Sequence, residues 1–197
     1  MSKVVVFMNL TLDGVMQSPA KPDEDRRAGF KYGGWAAPYD GMTSAGASTP
    51  NFGALLLGRW TYEDLFAAWH GRTDDNPFTA RLDSMQKYVA STTLKEPLAW
   101  INSTLLKGDV AEAVAGLKAK LGKDVDIVIM GSGELIQTLM QHNLVDRYVL
   151  LIHPVVLGSG RRLFTDGGAF AKLQLISVNQ TPKGVVVASY EPAESMK

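Results

Sequence analysis

Glycine, hydroxyl and guanidinium groups recur in this chain where an apolar run gives way to a helical one. The first such place is Leu55-Leu56-Leu57-Gly58-Arg59-Trp60-Thr61-Tyr62-Glu63, which reads as a buried strand followed by a Gly-Arg-x-Thr turn that opens a helix. Amides at a helix start, a hydroxyl and a guanidinium together hold phosphate. A second strand-to-helix turn, Ile127-Val128-Ile129-Met130-Gly131-Ser132-Gly133-Glu134-Leu135, offers another anion site. Two such sites on one sheet point to a dinucleotide, one taking its pyrophosphate and the other a further phosphate. A dinucleotide in turn points to hydride transfer. Ser91-Thr92-Thr93, after an apolar run at 87–90, adds hydroxyls at the same end of a parallel sheet, where ligands collect.

Each of these residues has a plainer role open to it. Gly131-Ser132-Gly133-Glu134-Leu135-Ile136 has isoleucine where a GxGxxG fingerprint has its third glycine, and it lies late in the chain, so it is a poor Rossmann motif. What it retains is close backbone approach and outward amides, or simply a tight turn. Arg59 can be a surface charge, and Ser91 and Thr92 can cap a turn. Gly158-Ser159-Gly160-Arg161-Arg162 can touch a phosphate or be an exposed turn.

Other chemistries find less support. There is no cysteine, which excludes disulfides, thiolate metal sites and thiol nucleophiles. His70, His142 and His153 fall into no metal-binding spacing, so no metal is expected. No GxSxG turn is present. Twenty basic and twenty acidic residues give zero formal charge, which favours neither nucleic acid nor an anionic membrane. The apolar run at 4–8 is too short for a signal peptide or a membrane span, so the chain reads as cytoplasmic and soluble.

The elements that must position these residues follow from periodicity. The 197 residues, 46% hydrophobic, fit one domain with a full core. Strands are expected at 3–10, 54–57, 87–91, 99–102, 125–130, 146–156, 173–179 and 184–190, the last two as an antiparallel pair. Helices are expected at 60–69, 78–85, 109–121 and 133–142. Between 17 and 51 lies a long irregular segment rich in proline and glycine, with a short helix expected around 39–47. Such loops are lids, binding loops or solvated insertions. Its Trp35 and Tyr39 are expected to stack on or enclose a substrate. Strand–helix alternation followed by terminal strand pairing predicts an α/β fold, a mixed, mostly parallel sheet flanked by helices.

Taken in order, Asn9-Leu10-Thr11-Leu12-Asp13-Gly14, Leu56 to Glu63, Tyr88 to Leu94, Trp100-Ile101-Asn102, Ile129 to Leu135 and Pro154 to Gly160 span nearly the whole chain. In this pattern the chain resembles the dihydrofolate reductase-like superfamily. It is most similar to bacterial proteins related to the C-terminal reductase domain of the bifunctional riboflavin-biosynthesis deaminase-reductase. The resemblance implies a three-layer α/β fold with NADPH lying across the strand ends. It implies that Gly58, Arg59 and Thr61 face the adenosine side and pyrophosphate, and that Ser91 and Thr92 lie near the 2′-phosphate. Gly131, Ser132, Gly133, Glu134 and Leu135 would cradle the pyrophosphate and nicotinamide ribose.

The resemblance also implies two catalytic carboxylates. Asp13, in the Leu-Asp-Gly motif, would sit beside the nicotinamide, although Asp-Gly is also a common turn pair. Asp40 falls near the place of a carboxylate that assists protonation of the substrate, or it caps a turn. Two departures matter. Thr92 stands where many relatives carry arginine, which leaves Arg59 more alone with a 2′-phosphate and loosens the preference for NADP over NAD. Val15 stands where the riboflavin-type enzymes often carry lysine, which speaks against a phosphorylated pyrimidine. The leading expectation is an NADPH-dependent reductase of a small, flat heterocyclic or carbonyl-bearing substrate, with homodimerisation left open. A non-catalytic NADP(H)-binding module and a true dihydrofolate or 5-amino-6-ribosylaminouracil phosphate reductase stay open beside it.

Overall fold

A computed structural model describes residues 1–39, 46, 49–72, 77–123 and 125–193. Within them one eight-stranded sheet runs in the order β4-β3-β2-β5-β1-β6-β8-β7. The strands are β1 (Lys3–Thr11), β2 (Phe52–Gly58), β3 (Gln86–Ala90), β4 (Ser103–Leu106), β5 (Asp126–Ile129), β6 (Arg147–His153), β7 (Leu173–Gln180) and β8 (Val186–Pro192). The first six are mutually parallel, and β8 pairs antiparallel with both β6 and β7. The helices are α1 (Arg59–Trp69), α2 (Pro77–Ser84), α3 (Val110–Lys120) and α4 (Gly133–Gln141). This is the three-layer α/β architecture expected from the sequence.

The central strands are apolar on both faces because helices cover both. Val4, Val6, Met8 and Leu10 of β1 pack with Val114 of α3 and Leu135, Ile136 and Leu139 of α4. Val5 and Phe7, on the opposite face, pack with Tyr62 of α1, Leu82 of α2 and Trp100. Asp109 caps α3, its Oδ1 accepting from the amides of Ala111 and Glu112 at 2.9 and 3.0 Å. At the far edge β7 carries Leu175, Ile176 and Val178 half-exposed.

Two element boundaries differ from the expectation by three residues or more. Residues 99–102 form a turn rather than a strand, and β4 begins at Ser103. The reason lies in Trp100, which is buried among Tyr62 and Phe66 and donates its indole N–H to Asp83 at 2.5 Å. An apolar run there marks a core plug, not a pleat. β6 ends at His153, three residues early, because Pro154 has no amide for the ladder. In the 12–51 segment the regular pieces described are short turns at Arg27–Gly29 and Ala37–Tyr39. Apart from Tyr39 and Gly46, the helix expected at 39–47 lies outside the described residues, as does Asp40.

Candidate functional site

β2, β3 and β5 end side by side, and a cleft of about 1380 Å³ opens across their carboxyl ends. Gly58, Arg59 and Thr61 line it, as do Ser91 and Thr92. On its other side lie Gly131, Ser132, Gly133, Glu134 and Leu135. The structure therefore gathers into one cavity every residue that the sequence assigned to a dinucleotide.

The two strand-to-helix turns are tied to each other. The amide and hydroxyl of Ser132 both donate to Thr61 Oγ1, at 3.0 and 2.9 Å, and the Gly58 amide donates to Ser132 Oγ at 2.9 Å. Thr61 and Ser132 thus spend their hydroxyls on holding the turns together. Gly131 has φ +63°, and a Cβ there would come within 2.8 Å of Thr61 Oγ1, so glycine is required for this join. Neither α1 nor α4 has a side-chain cap. The first amides of each helix have no intrahelical acceptors, and both helices begin at the cleft.

Arg59 is half-exposed at the cleft wall, its Nε donating to Glu63 at 3.1 Å and its Nη1 to Thr93 Oγ1 at 2.8 Å. Ser91 Oγ accepts from the amides of Thr93 and Leu94, which shapes that turn. Thr92 is exposed at the rim. Glu134 pairs with Arg161 at 2.5 Å, so the arginine-rich turn at 158–162 reaches the cleft through this contact.

Asp13, Trp35 and Tyr39 fall elsewhere. Asp13 does not line the cleft. Its carboxylate accepts from Thr11 Oγ1 at 2.6 Å and from the amides of Gly158 and Leu157 at 2.8 and 3.3 Å. The Thr11 bond leads in holding its pKa low, and the carboxylate fastens the 157–158 turn to the end of β1. Trp35 and Tyr39 are likewise not cleft residues: both rings pack edge-on against His153, at 5.3 and 5.5 Å. Trp35 is buried with Val15, Phe30 and Ala36, and its indole N–H donates to the Gln17 carbonyl at 2.8 Å. Aromatic residues in a loop signalled a lid surface, whereas here Trp35 joins the loop's own small core and Tyr39 packs on the core of the sheet.

Other residues of the cleft carried no motif. Glu24 is half-buried, and burial pushes its carboxyl pKa up although Oε2 accepts from the Ala20 amide at 2.7 Å. Asp64, also raised by burial and next by Asp25, faces the same space from α1. Burial also works on Asp25, but the hydrogen bonds from Arg27 prevail and hold it low. These acids sit among other charges in the sequence and gave no signal there. Asn9 did give one: it is a polar residue that interrupts the apolar run of β1, and it lines the cleft. Among the described residues no cluster of three or more histidine, aspartate or glutamate side chains suits a metal ion. Nor is any described helix long and apolar enough to cross a membrane.

Comparison with known proteins concerns the family and the fold. The sequence model of the RibD C-terminal domain matches residues 2–187. The uncharacterized protein YyaP of Bacillus subtilis (strain 168) is 35% identical over 144 residues, 69% of this chain and 72% of its own. A putative riboflavin biosynthesis protein from Shewanella sp. PV-4 superposes with TM-score 0.66 at 21% identity, over 98% of this chain and 100% of that one. A pyrimidine reductase-like protein from Corynebacterium diphtheriae gives 0.62 at 12% identity, over 98% and 93%. RibD from Acinetobacter baumannii gives 0.59 at 17%, over 98% of this chain and 58% of that one. These structural likenesses establish the fold.

Proposed function

The chain belongs to the RibD C-terminal domain family, and from that premise we propose that it is an NADPH-dependent reductase of a small, flat heterocyclic or carbonyl-bearing molecule. The observation that carries the proposal is the join at the cleft. Two uncapped helix starts are locked together by Thr61 and Ser132, with Arg59 beside them. The residues present fit the cofactor. Free amides of α4 suit a pyrophosphate, and Arg59 with the Ser91–Thr93 hydroxyls suits a further phosphate. At Gly133 an added Cβ would run into Met16, so the backbone there lies close under the cleft wall.

When bound, NADPH supplies the hydride, and this chain supplies orientation and a proton. The α4 amides and Arg59 bind and orient the dinucleotide. Glu24, its carboxyl pushed upward by burial, faces the cleft with the Ala20 and Lys21 amides on Oε2 and is the candidate donor of that proton. Reduction of a C=N or C=O bond needs such a proton to match the hydride.

One observation narrows the substrate. Val15, where related enzymes often place a lysine, is fully buried against the loop core. That position offers no charge to a ribityl phosphate, which favours an unphosphorylated substrate. Calorimetric titration with NADPH and NADH tests the cofactor reading. Micromolar NADPH affinity, weaker for NADH and at least about tenfold weaker in Arg59→Ala, is expected from the loss of a charge-assisted contact. Absence of binding by either nucleotide would leave a fold without its cofactor and overturn the proposal.

A further inference from the structure

Asn9 follows Val5 and Phe7 on one face of β1, where the layer packed above is mostly apolar. It is 5% exposed, and a buried carboxamide must find partners. β6 provides one. Asn9 lies opposite Leu151, so His153, two residues on, projects from the same face as a diagonal neighbour. The His153 ring is wholly buried, its Nε2 lies 2.9 Å from Asn9 Oδ1, and its Nδ1 has no partner among the described residues.

Two arrangements satisfy that contact. In the first, Nε2–H donates to Oδ1 and Nδ1 is an unused lone pair. In the second, the carboxamide is turned over, its NH₂ donates to a bare Nε2, and the ring proton sits on Nδ1 as a buried donor without an acceptor. The Nδ1 side of the ring is sealed, whereas the carboxamide borders the cleft, so a proton on Nδ1 is stranded while an idle lone pair there is tolerated, and the first arrangement holds. Burial pushes His153 down to about 4, so the ring carries a single proton near neutrality. Trp35 and Tyr39 wedge the ring edge-on from two sides. Because the Trp35 indole N–H is spent on the Gln17 carbonyl, it does not compete for Asn9.

With Oδ1 committed, the Asn9 NH₂ has no acceptor among the described residues, and the open space beside it is the cleft. We propose that Asn9 determines specificity, presenting this NH₂ to a hydrogen-bond acceptor of the substrate, a carbonyl oxygen or an unprotonated ring nitrogen. His153 is its positioning residue. A donor-only group at a desolvated floor rejects ligands that lack an acceptor there, since it would then lie unpaired. The inference rests on the cleft being a reductase site and names the substrate edge that such a site receives.

The test has two parts. Ring ¹⁵N shifts of His153 at pH 7 should place the proton on Nε2, and a proton on Nδ1 overturns the inference. Binding is then measured on the full chain with NADP⁺ present, using oxindole and indole, flat bicycles that differ by one carbonyl. The wild-type protein should prefer oxindole by about tenfold or more, as expected for one buried hydrogen bond plus the cost of leaving it unmade. Asn9→Asp and the uncharged Asn9→Leu should abolish the preference; Leu serves if the buried aspartate unfolds the chain. His153→Leu should reduce it, and His153→Gln, whose amide can donate to the same Oδ1, should restore part of it. No preference in the wild-type protein, or a preference surviving Asn9→Leu, overturns the inference. A wild-type protein that binds no nucleotide overturns the reductase reading instead, and oxindole against indole still judges Asn9.

Discussion

Glu24 and His153 show how burial redirects side chains whose sequence context is silent. Glu24 is pushed upward by burial and next, against its amide contacts, by Asp64, while Arg27 holds Asp25 low. Carboxyl ¹³C titration should therefore find Glu24 above 4.5 and Asp25 below 3.8, and Asp64→Asn should bring Glu24 down. His153 falls from 6.5 to about 4 on folding. Between those values the unfolded chain takes up a proton that the folded chain refuses. Stability is thus full above pH 6.5 and declines toward pH 4, by about 1.4 kcal/mol per pH unit at most. Urea unfolding across this range should show the slope in the wild-type protein and a shallower one in His153→Gln. Arg59 and Ser91 were legible as cleft residues because their types and spacing announce anion binding. Trp35 and Asp13 were not legible as structural groups, because an aromatic ring or an Asp-Gly pair looks the same in a site, a loop core or a turn.

The two strand-to-helix turns act as one element through the Thr61–Ser132 pair. Thr61→Val leaves the Ser132 amide and hydroxyl without their acceptor and should cost about 1–3 kcal/mol in denaturant unfolding. It should also weaken NADPH, since the α4 amides lose their fixed bearing, while Thr61→Ser retains both properties. Asp109→Ala removes the cap of α3, remote from the cleft, and should cost about 1 kcal/mol in the same assay. Helices α1, α3 and α4 were legible from their apolar spacing and their glycine or aspartate boundaries. β4 was not, because the apolar residues before it belong to the buried Trp100 turn, and Ser103 and Thr104 announce nothing by themselves.

For the whole molecule, a ligand that binds only the folded state stabilises it by mass action. NADPH at a hundred times its dissociation constant should add about 2.7 kcal/mol. In a chain of this size that is a rise of roughly 5–10 °C in Tm by thermal scanning. NADH at equal concentration should give less, and Arg59→Ala should lose most of the difference. The amino-acid sequence alone determined the α/β class and the two strand-to-helix turns, since these depend on local periodicity and on glycine at short spacing. Only the tertiary structure decided which groups share the cleft. The parallel order sets Gly58 beside Ser132 and Asn9 beside His153, across 74 and 144 residues of chain. Pairings over that distance are fixed by which strands become neighbours, and the residues themselves carry no mark of it.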